Sequence, residues 1–301
     1  MSGPDKTTER HHFVPKFYLE KWYDPGQNQN GFWLYLRDKR GNLRIRRPQS
    51  AKSIGYEDNL YSLHPDGLTF HKSVSNELEH GFFELVDNAA SVVHEKLLNQ
   101  GVTALSADDR INWAIFVNSL IERSPSRLRD IKSKAAGIPS KVIYELEHRS
   151  PSGTLQPAMQ AIVDRMDSTA VVHNTVLSAL VRYIVDEPFI RYVTEMQWLT
   201  IDIPKGQDHF LTGDTPVVIN AGDSTTPIYM LSIAISPRRL LIMHKRSPEF
   251  DMQLCKKMAI CHSIMLTKQT EKHLVSSKKL TDSEYIKYNR IAETMLRGGN
   301  A

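Results

Sequence analysis

The feature that most constrains this 301-residue chain is where its hydrophobic period changes. Towards both ends apolar residues alternate with polar ones, the two-residue period of a half-buried strand. Between those regions they recur every three to four residues, the period of an amphipathic helix. From Gly31 to Pro48, Phe32, Leu34 and Leu36 alternate with Trp33, Tyr35 and Arg37; a Gly41-Asn42 turn follows, and then Leu43 and Ile45 alternate with Arg44 and Arg46. That pattern predicts a β-hairpin. From Glu77 to Leu98 apolar residues fall at 78, 82, 85, 86, 89, 93 and 97, which predicts a helix. Segregated runs of this kind argue for an α+β fold. Its expected layout is N-terminal β-hairpins, a central helical segment, a C-terminal antiparallel β-sheet and a final helix.

Punctuation refines this layout. Pro15 suits the first turn of a short helix ahead of Trp22. Residues 59–63 (NLYSL) and 68–71 (LTFH) read as a second extended pair around a His64-Pro65-Asp66-Gly67 turn. Ser106, with Asp108 and Asp109 behind it, reads as a helix cap. Pro125 ends that helix by pushing Ser124 out of the α region. More helix is expected at 139–148 and 157–186. Strands are expected to return after Pro188: 197–203, a strand–turn–strand over 209–219, a hairpin over 229–244 and a strand at 263–267. A last helix is expected over 282–297. The reading is thus a flexible tail at 1–10 and one domain at 11–301, β-rich over 11–75, helical over 76–187 and β-rich over 195–270.

Composition bounds the function classes. Hydrophobic residues make up 41% and charged residues 24%, ordinary globular values that leave a core to bury. A net charge of +4 is too small to argue for nucleic acid by itself, so only local clustering can. Cys255 and Cys261 fit no zinc or redox spacing and read as ordinary thiols. Met1 to Arg10 is polar, unlike a signal peptide, and no run approaches the roughly 18 apolar residues of a membrane span. The expectation is a cytoplasmic protein without a membrane partner.

Five groups of residues could carry chemistry. His11 and His12 enter a proline-pinned turn, an arrangement able to present imidazoles as metal ligands or acid–base groups. Asp214 lies in Thr212-Gly213-Asp214-Thr215-Pro216, where a turn could display its carboxylate to a metal, a water or an arginine; an Asx turn satisfying its own backbone is the plainer reading. Glu77 and Glu84, two helical turns apart, share a face and are further candidates for a divalent metal. Arg123 and Arg127 flank a Pro-broken helix end and could bind an anion, although cations are favoured there in any case. The stretch 37–47 gathers Arg37, Lys39, Arg40, Arg44, Arg46 and Arg47. Of these Arg40, Arg44 and Arg46 are the candidate contacts to nucleic acid, unless the charges only protect an edge strand.

The run His11-His12-Phe13-Val14-Pro15-Lys16-Phe17-Tyr18-Leu19 resembles the opening His-His-x-x-Pro-x-x-Tyr-Leu signature of a bacterial family, domain-of-unknown-function family 4238. Further likenesses follow in order: Asn59-Leu60-Tyr61, Glu77 and Glu84, Glu122 to Arg127, Phe210 to Val217, Leu231 to Pro237, and Asn289. Gly213 stands where the family pattern has Ser, and Ser124 where it has Thr. The resemblance spans nearly the whole chain and implies a shared architecture without an assigned activity. A shorter likeness is to ββα-metal nucleases of the HNH kind, through His11 to Pro15, Asn59-Leu60 and either His64 or His71. Together these readings suggest a metal-dependent hydrolase, a phosphodiesterase or nuclease, with His11, His12 and Asp214 at its centre. The alternatives are a non-catalytic nucleic-acid- or ligand-binding protein, and a buried polar network that only specifies the fold.

Overall fold

The computed structural model describes residues 10–23, 31–46, 48–64, 77–150, 153–204, 209–220, 230–245 and 252–298; the side chains of 77, 79–80, 252–260 and 294–298 lie outside that description. The strands are β1 (Arg10–His12), β2 (Trp33–Arg37), β3 (Leu43–Ile45), β4 (Tyr56–Asp58), β5 (Gln197–Asp202), β6 (Thr212–Gly213), β7 (Val217–Asn220), β8 (Met230–Ser236), β9 (Arg239–His244) and β10 (His273–Ser276). The α-helices are α1 (Lys16–Leu19), α2 (Glu84–Asn99), α3 (Ala107–Glu122), α4 (Pro125–Ala135), α5 (Ile138–Arg149), α6 (Pro157–Val163), α7 (Ser168–Ile184), α8 (Glu187–Glu195), α9 (Met252–Gln269) and α10 (Asp282–Gly298). A π-helical stretch, Glu77–Phe83, leads into α2. The fold is α+β, and among the described residues no helix is long and apolar enough to cross a membrane.

The chain forms two compact units, each drawn from three separated stretches: Met1–His11, Glu57–Leu85 and Glu122–Asp186 in the first, His12–Tyr56, Val86–Ile121 and Glu187–Ala301 in the second. The first unit is mainly helical. Ser124 holds an extended ψ of 144° before Pro125, and its hydroxyl accepts the Arg127 N–H, so one helix stops and α4 begins there, as the proline implied. The expected single helix at 157–186 is instead α6 and α7. Asp167 separates them, its carboxylate accepting the N–H groups of Thr169 and Ala170 as the cap of α7.

The second unit holds two four-stranded antiparallel sheets, in the orders β3-β2-β10-β6 and β5-β9-β8-β7. The expected hairpins β2–β3 and β8–β9 are present. The strand–turn–strand over 209–219 is not a hairpin: β6 and β7 belong to different sheets, so the turn between them hands the chain from one sheet to the other. One core cluster packs Tyr35, Leu43, Leu211, Leu266, Leu274 and Tyr288 together.

Four further expectations fail for physical reasons. Arg10, assigned to the tail, opens β1. Asn59-Leu60-Tyr61 is a turn with Asn59 at φ 56°, a left-handed conformation that asparagine tolerates, and not a strand; its expected partner 68–71 lies outside the described residues. Residues 263–267 belong to helix α9, where the Thr267 hydroxyl donates to the Ser263 carbonyl one turn back. Helix α8 occupies Glu187–Glu195, because Pro188 sits in a first turn, where a missing N–H costs nothing.

Candidate functional site

The motif residues are gathered mostly by buried polar contacts. Tyr18 is fully buried, and its hydroxyl lies 2.8 Å from Thr212 Oγ1 and donates to the Ala234 carbonyl, also at 2.8 Å. One phenol thus ties the N-terminal signature to the 210–217 motif and to β8. Burial pushes its pKa well above the usual phenol range. On the same helical entry, the Trp22 indole donates to the Phe210 carbonyl. Asn289 performs a similar task at the hairpin. Its Oδ1 accepts the Leu43 N–H at 2.7 Å, and the Tyr285 hydroxyl donates to the Leu43 carbonyl.

Asp214 does not display its carboxylate as the turn suggested. It is buried and accepts three backbone N–H groups, from Glu271 (3.0 Å), Lys272 (2.6 Å) and His273 (2.8 Å), while its own N–H donates to the His273 carbonyl. Burial raises its pKa to about 6, against the pull of those three donors. The neighbouring Gly213 is required by space, since a Cβ there would stand 2.5 Å from the His273 carbonyl oxygen. Gly213 and Asp214 therefore form a cradle that fixes the path of residues 271–273 into β10.

Residues 272 and 273 are delivered to an open groove of about 620 Å³ on the hairpin sheet. Its walls include Leu36, Ile45 and Ile54, with Arg46, Lys272 and His273 among them. Register accounts for Leu36 and His273, whereas Ile45, opposite Tyr35, comes to the groove from the edge strand β3. Leu36 lies directly opposite Arg44 on β3 and His273 on β10, and directly opposed residues share a face. The opposite face carries Tyr35 and Leu274, which pack in the core. His273 is only 9% exposed, and its Nδ1 is buried with no hydrogen-bond partner among the described residues. Burial and adjacent Lys272 lower its pKa to about 4, so the ring is neutral near pH 7. Nothing in the sequence singled out Lys272 and His273, because β10 is four residues long and its pattern too short to stand apart. The approach of residues 271–273 to Asp214 is a tertiary contact.

The hairpin's charges divide. Lys39, Arg40, Arg44 and Arg46 are exposed. Arg44 Nε donates to Asp38 at 3.0 Å, and Arg37 turns inward to the Thr267 carbonyl. Arg47 lies outside the described residues.

The other expected site residues are engaged locally. In the first unit His11 is buried, stacks on Tyr61 and accepts the Tyr61 N–H at Nδ1 (2.8 Å). The Tyr61 hydroxyl donates to the Arg123 carbonyl, and the Arg123 guanidinium, wholly buried, lies over the Phe83 ring. Arg123 is thus closed to a solvent-borne anion in this arrangement. Arg127 is engaged by two carboxylates of its own unit, Glu122 (two bonds, 3.0 and 3.3 Å) and Asp130 (3.3 Å). His12, in the second unit, sits against Tyr56. Glu84 is exposed, and the side chain of Glu77 is outside the described residues, as is His71. His64 stands beside His173 in the first unit, ring centroids 4.7 Å apart. Among the described residues no three His, Cys, Asp or Glu side chains are grouped to hold a metal ion. Cys261 is an exposed free thiol.

Fold and site define an α+β protein whose motif residues brace two sheets and the groove on one of them. Its family follows from comparison: the model for "Protein of unknown function (DUF4238)" matches residues 10–292, and the chain belongs to that family. No curated protein and no solved structure matches the chain.

Proposed function

We propose that this protein binds nucleic acid through the β2–β3 hairpin and the adjoining groove, without catalysis at that site. The observation that carries the reading is the meeting of exposed cations with an open apolar groove whose described lining residues include no acid. Arg40, Arg44 and Arg46 project from the hairpin, and Lys272 joins Arg46 in the groove. Such cations neutralise phosphates and release counterions. The reading is preferred to a metal-dependent hydrolase because Asp214, a proposed centre of that chemistry, is buried and already accepts three backbone N–H groups, and because Arg123 is buried against the Phe83 ring of its own unit.

The test is binding of a labelled oligonucleotide across a salt series. Each phosphate contact should contribute a slope of about 0.7–0.9 in log affinity against log salt. Replacing Arg40, Arg44 and Arg46 together with Ala should flatten the slope by up to about three such contacts. Absence of binding at low salt overturns the proposal.

A further inference from the structure

A run of exposed arginines suffices to hold a phosphate backbone. It gives no reason for an aliphatic groove beside the arginines, nor for a buried imidazole nitrogen in its wall with no partner. Leu36, half-buried, and Ile45, 44% exposed, offer apolar surface that phosphates and sugars do not use. His273 is nine-tenths buried, and its Nδ1 meets no hydrogen-bonding group among the described residues. An unmet buried polar atom carries a cost, and in a native structure it calls for a ligand, a water or an ion to meet it. The fold also invests in placing this ring. Asp214 accepts the N–H of His273 and of both preceding residues, and Gly213 is free of the Cβ that would collide with the His273 carbonyl. Residues 271–273 are therefore held by a dedicated cradle with the imidazole in the groove wall.

From these features we infer that the groove receives an unstacked base of single-stranded nucleic acid, the aliphatic side chains covering its faces and His273 hydrogen-bonding its edge. This rests on the nucleic-acid reading above and narrows it. A base in a duplex is stacked and paired, and cannot enter a groove of this kind. A single strand can splay a base out and expose both its faces and its Watson–Crick edge. A neutral imidazole offers a base edge either an N–H donor or an acceptor nitrogen, according to its tautomer. Arg46 and Lys272, lining the same groove, are available to the flanking phosphates. His273 is in this view a specificity-determining residue, and Asp214 a positioning residue acting through it.

The experiment measures fluorescence anisotropy of the full chain with three labelled 12-nucleotide probes at one low salt concentration: a mixed-sequence single strand, an abasic strand with the same phosphates, and the corresponding duplex. The mixed strand should bind at least about tenfold more tightly than the abasic strand or the duplex, neither of which offers an unstacked base. His273→Ala should remove most of that advantage and leave abasic binding unchanged. Because His273 is buried, a second variant guards against misfolding: Ile45 is 44% exposed, so Ile45→Ser should leave the fold intact, and it should weaken mixed-strand binding several-fold with no effect on the abasic strand. Equal affinity for mixed and abasic strands, or equal loss on both in either variant, overturns the base pocket while leaving backbone binding standing. No binding of any probe overturns the nucleic-acid reading itself.

Discussion

The two faces of the hairpin sheet are built from alternate residues of the same strands, and they are treated differently. On one face Tyr35, Leu43 and Leu274 pack with Leu211 and Leu266, and the Tyr35 hydroxyl accepts the Leu280 N–H. There the tyrosine hydroxyl is paired within the protein, although the Trp33 indole nitrogen beside the cluster is buried with no partner among the described residues. On the other face Leu36 lies between Arg44 and His273, the arginine is exposed, and an imidazole nitrogen has no partner among the described residues. The motifs shared with the family, Tyr18-Leu19, Thr212 to Pro216 and Asn289, mostly serve bracing. The open face takes its character from residues that those motifs hold in place. Resemblance in sequence therefore marks the scaffold more strongly than it marks the ligand.

Acid should damage the braced interior most. His94 is wholly buried, lies 2.6 Å through Nε2 from the Ile235 carbonyl oxygen, and has its pKa lowered by burial to about 4; His262, beside Ser232, is lowered to about 3. Each group titrates near 6.5 when unfolded, so the unfolded chain takes up protons first. The stability these neutral rings contribute is present above pH 6.5 and lost as pH falls through their folded values, at roughly 1.4 kcal/mol per pH unit for each ring. Asp214 works in the opposite sense. Its pKa is raised, so its contribution is complete below 3.8 and lost as pH rises through about 6. Two histidines outweigh one carboxyl, and denaturant melts should show stability falling steadily from pH 6.5 to 4. A flat profile would mean that these rings are hydrated and that the interior is not closed as described.

Asp214→Asn tests the cradle. The amide keeps one acceptor oxygen and turns an NH₂ group towards N–H donors, so at least one of the three backbone groups at 271–273 loses its partner. The expected loss is about 1–3 kcal/mol, with a lower melting temperature and a weakened groove. Gly213→Val should cost a similar amount by overpacking against the His273 carbonyl. If Asp214→Asn melts like the wild type, the residue is free for chemistry and the hydrolase reading regains its centre. Tyr18→Phe should cost somewhat less, about 1–2 kcal/mol, because it leaves the Ala234 carbonyl and the Thr212 hydroxyl short of one partner. An unchanged melt there would show that water replaces the phenol.

What could be read from the sequence follows the range of the forces involved. Periodicity and turn chemistry are local, and they gave the hairpins β2–β3 and β8–β9, the break at Pro125 and the final helix. The family resemblance gave the residues that brace the fold. Hidden from the sequence was everything decided by partners far along the chain. Residues 263–267 look extended by composition but take part in α9. Asn59 to Tyr61 looks like a strand and is a turn whose Tyr61 N–H is claimed by His11, fifty residues earlier. Asp214 looks displayed because its three donors come from 271–273, and for the same reason the groove, with Lys272 and His273, is invisible until β10 is placed beside β2.

The smallest effect should fall on the exposed face, where its smallness is the informative result. Arg44 Nε donates to Asp38, but the arginine side chain is 69% exposed, and Asp38 already accepts the N–H groups of Arg40 and Asn42 that close the hairpin turn. The turn is held by those backbone donors, and solvent screens the ion pair. Arg44→Ala should therefore leave the melting temperature within about 2 °C of the wild type, as for an ordinary surface substitution. The same holds for Arg40→Ala and Arg46→Ala, whose side chains are exposed. Measured beside oligonucleotide affinity, these variants separate the two faces cleanly: unchanged melting with weakened, less salt-sensitive binding assigns the cations to a ligand. A drop in melting temperature comparable to that of Asp214→Asn would instead assign them to the fold, and the contrast between a braced face and an open one would fail.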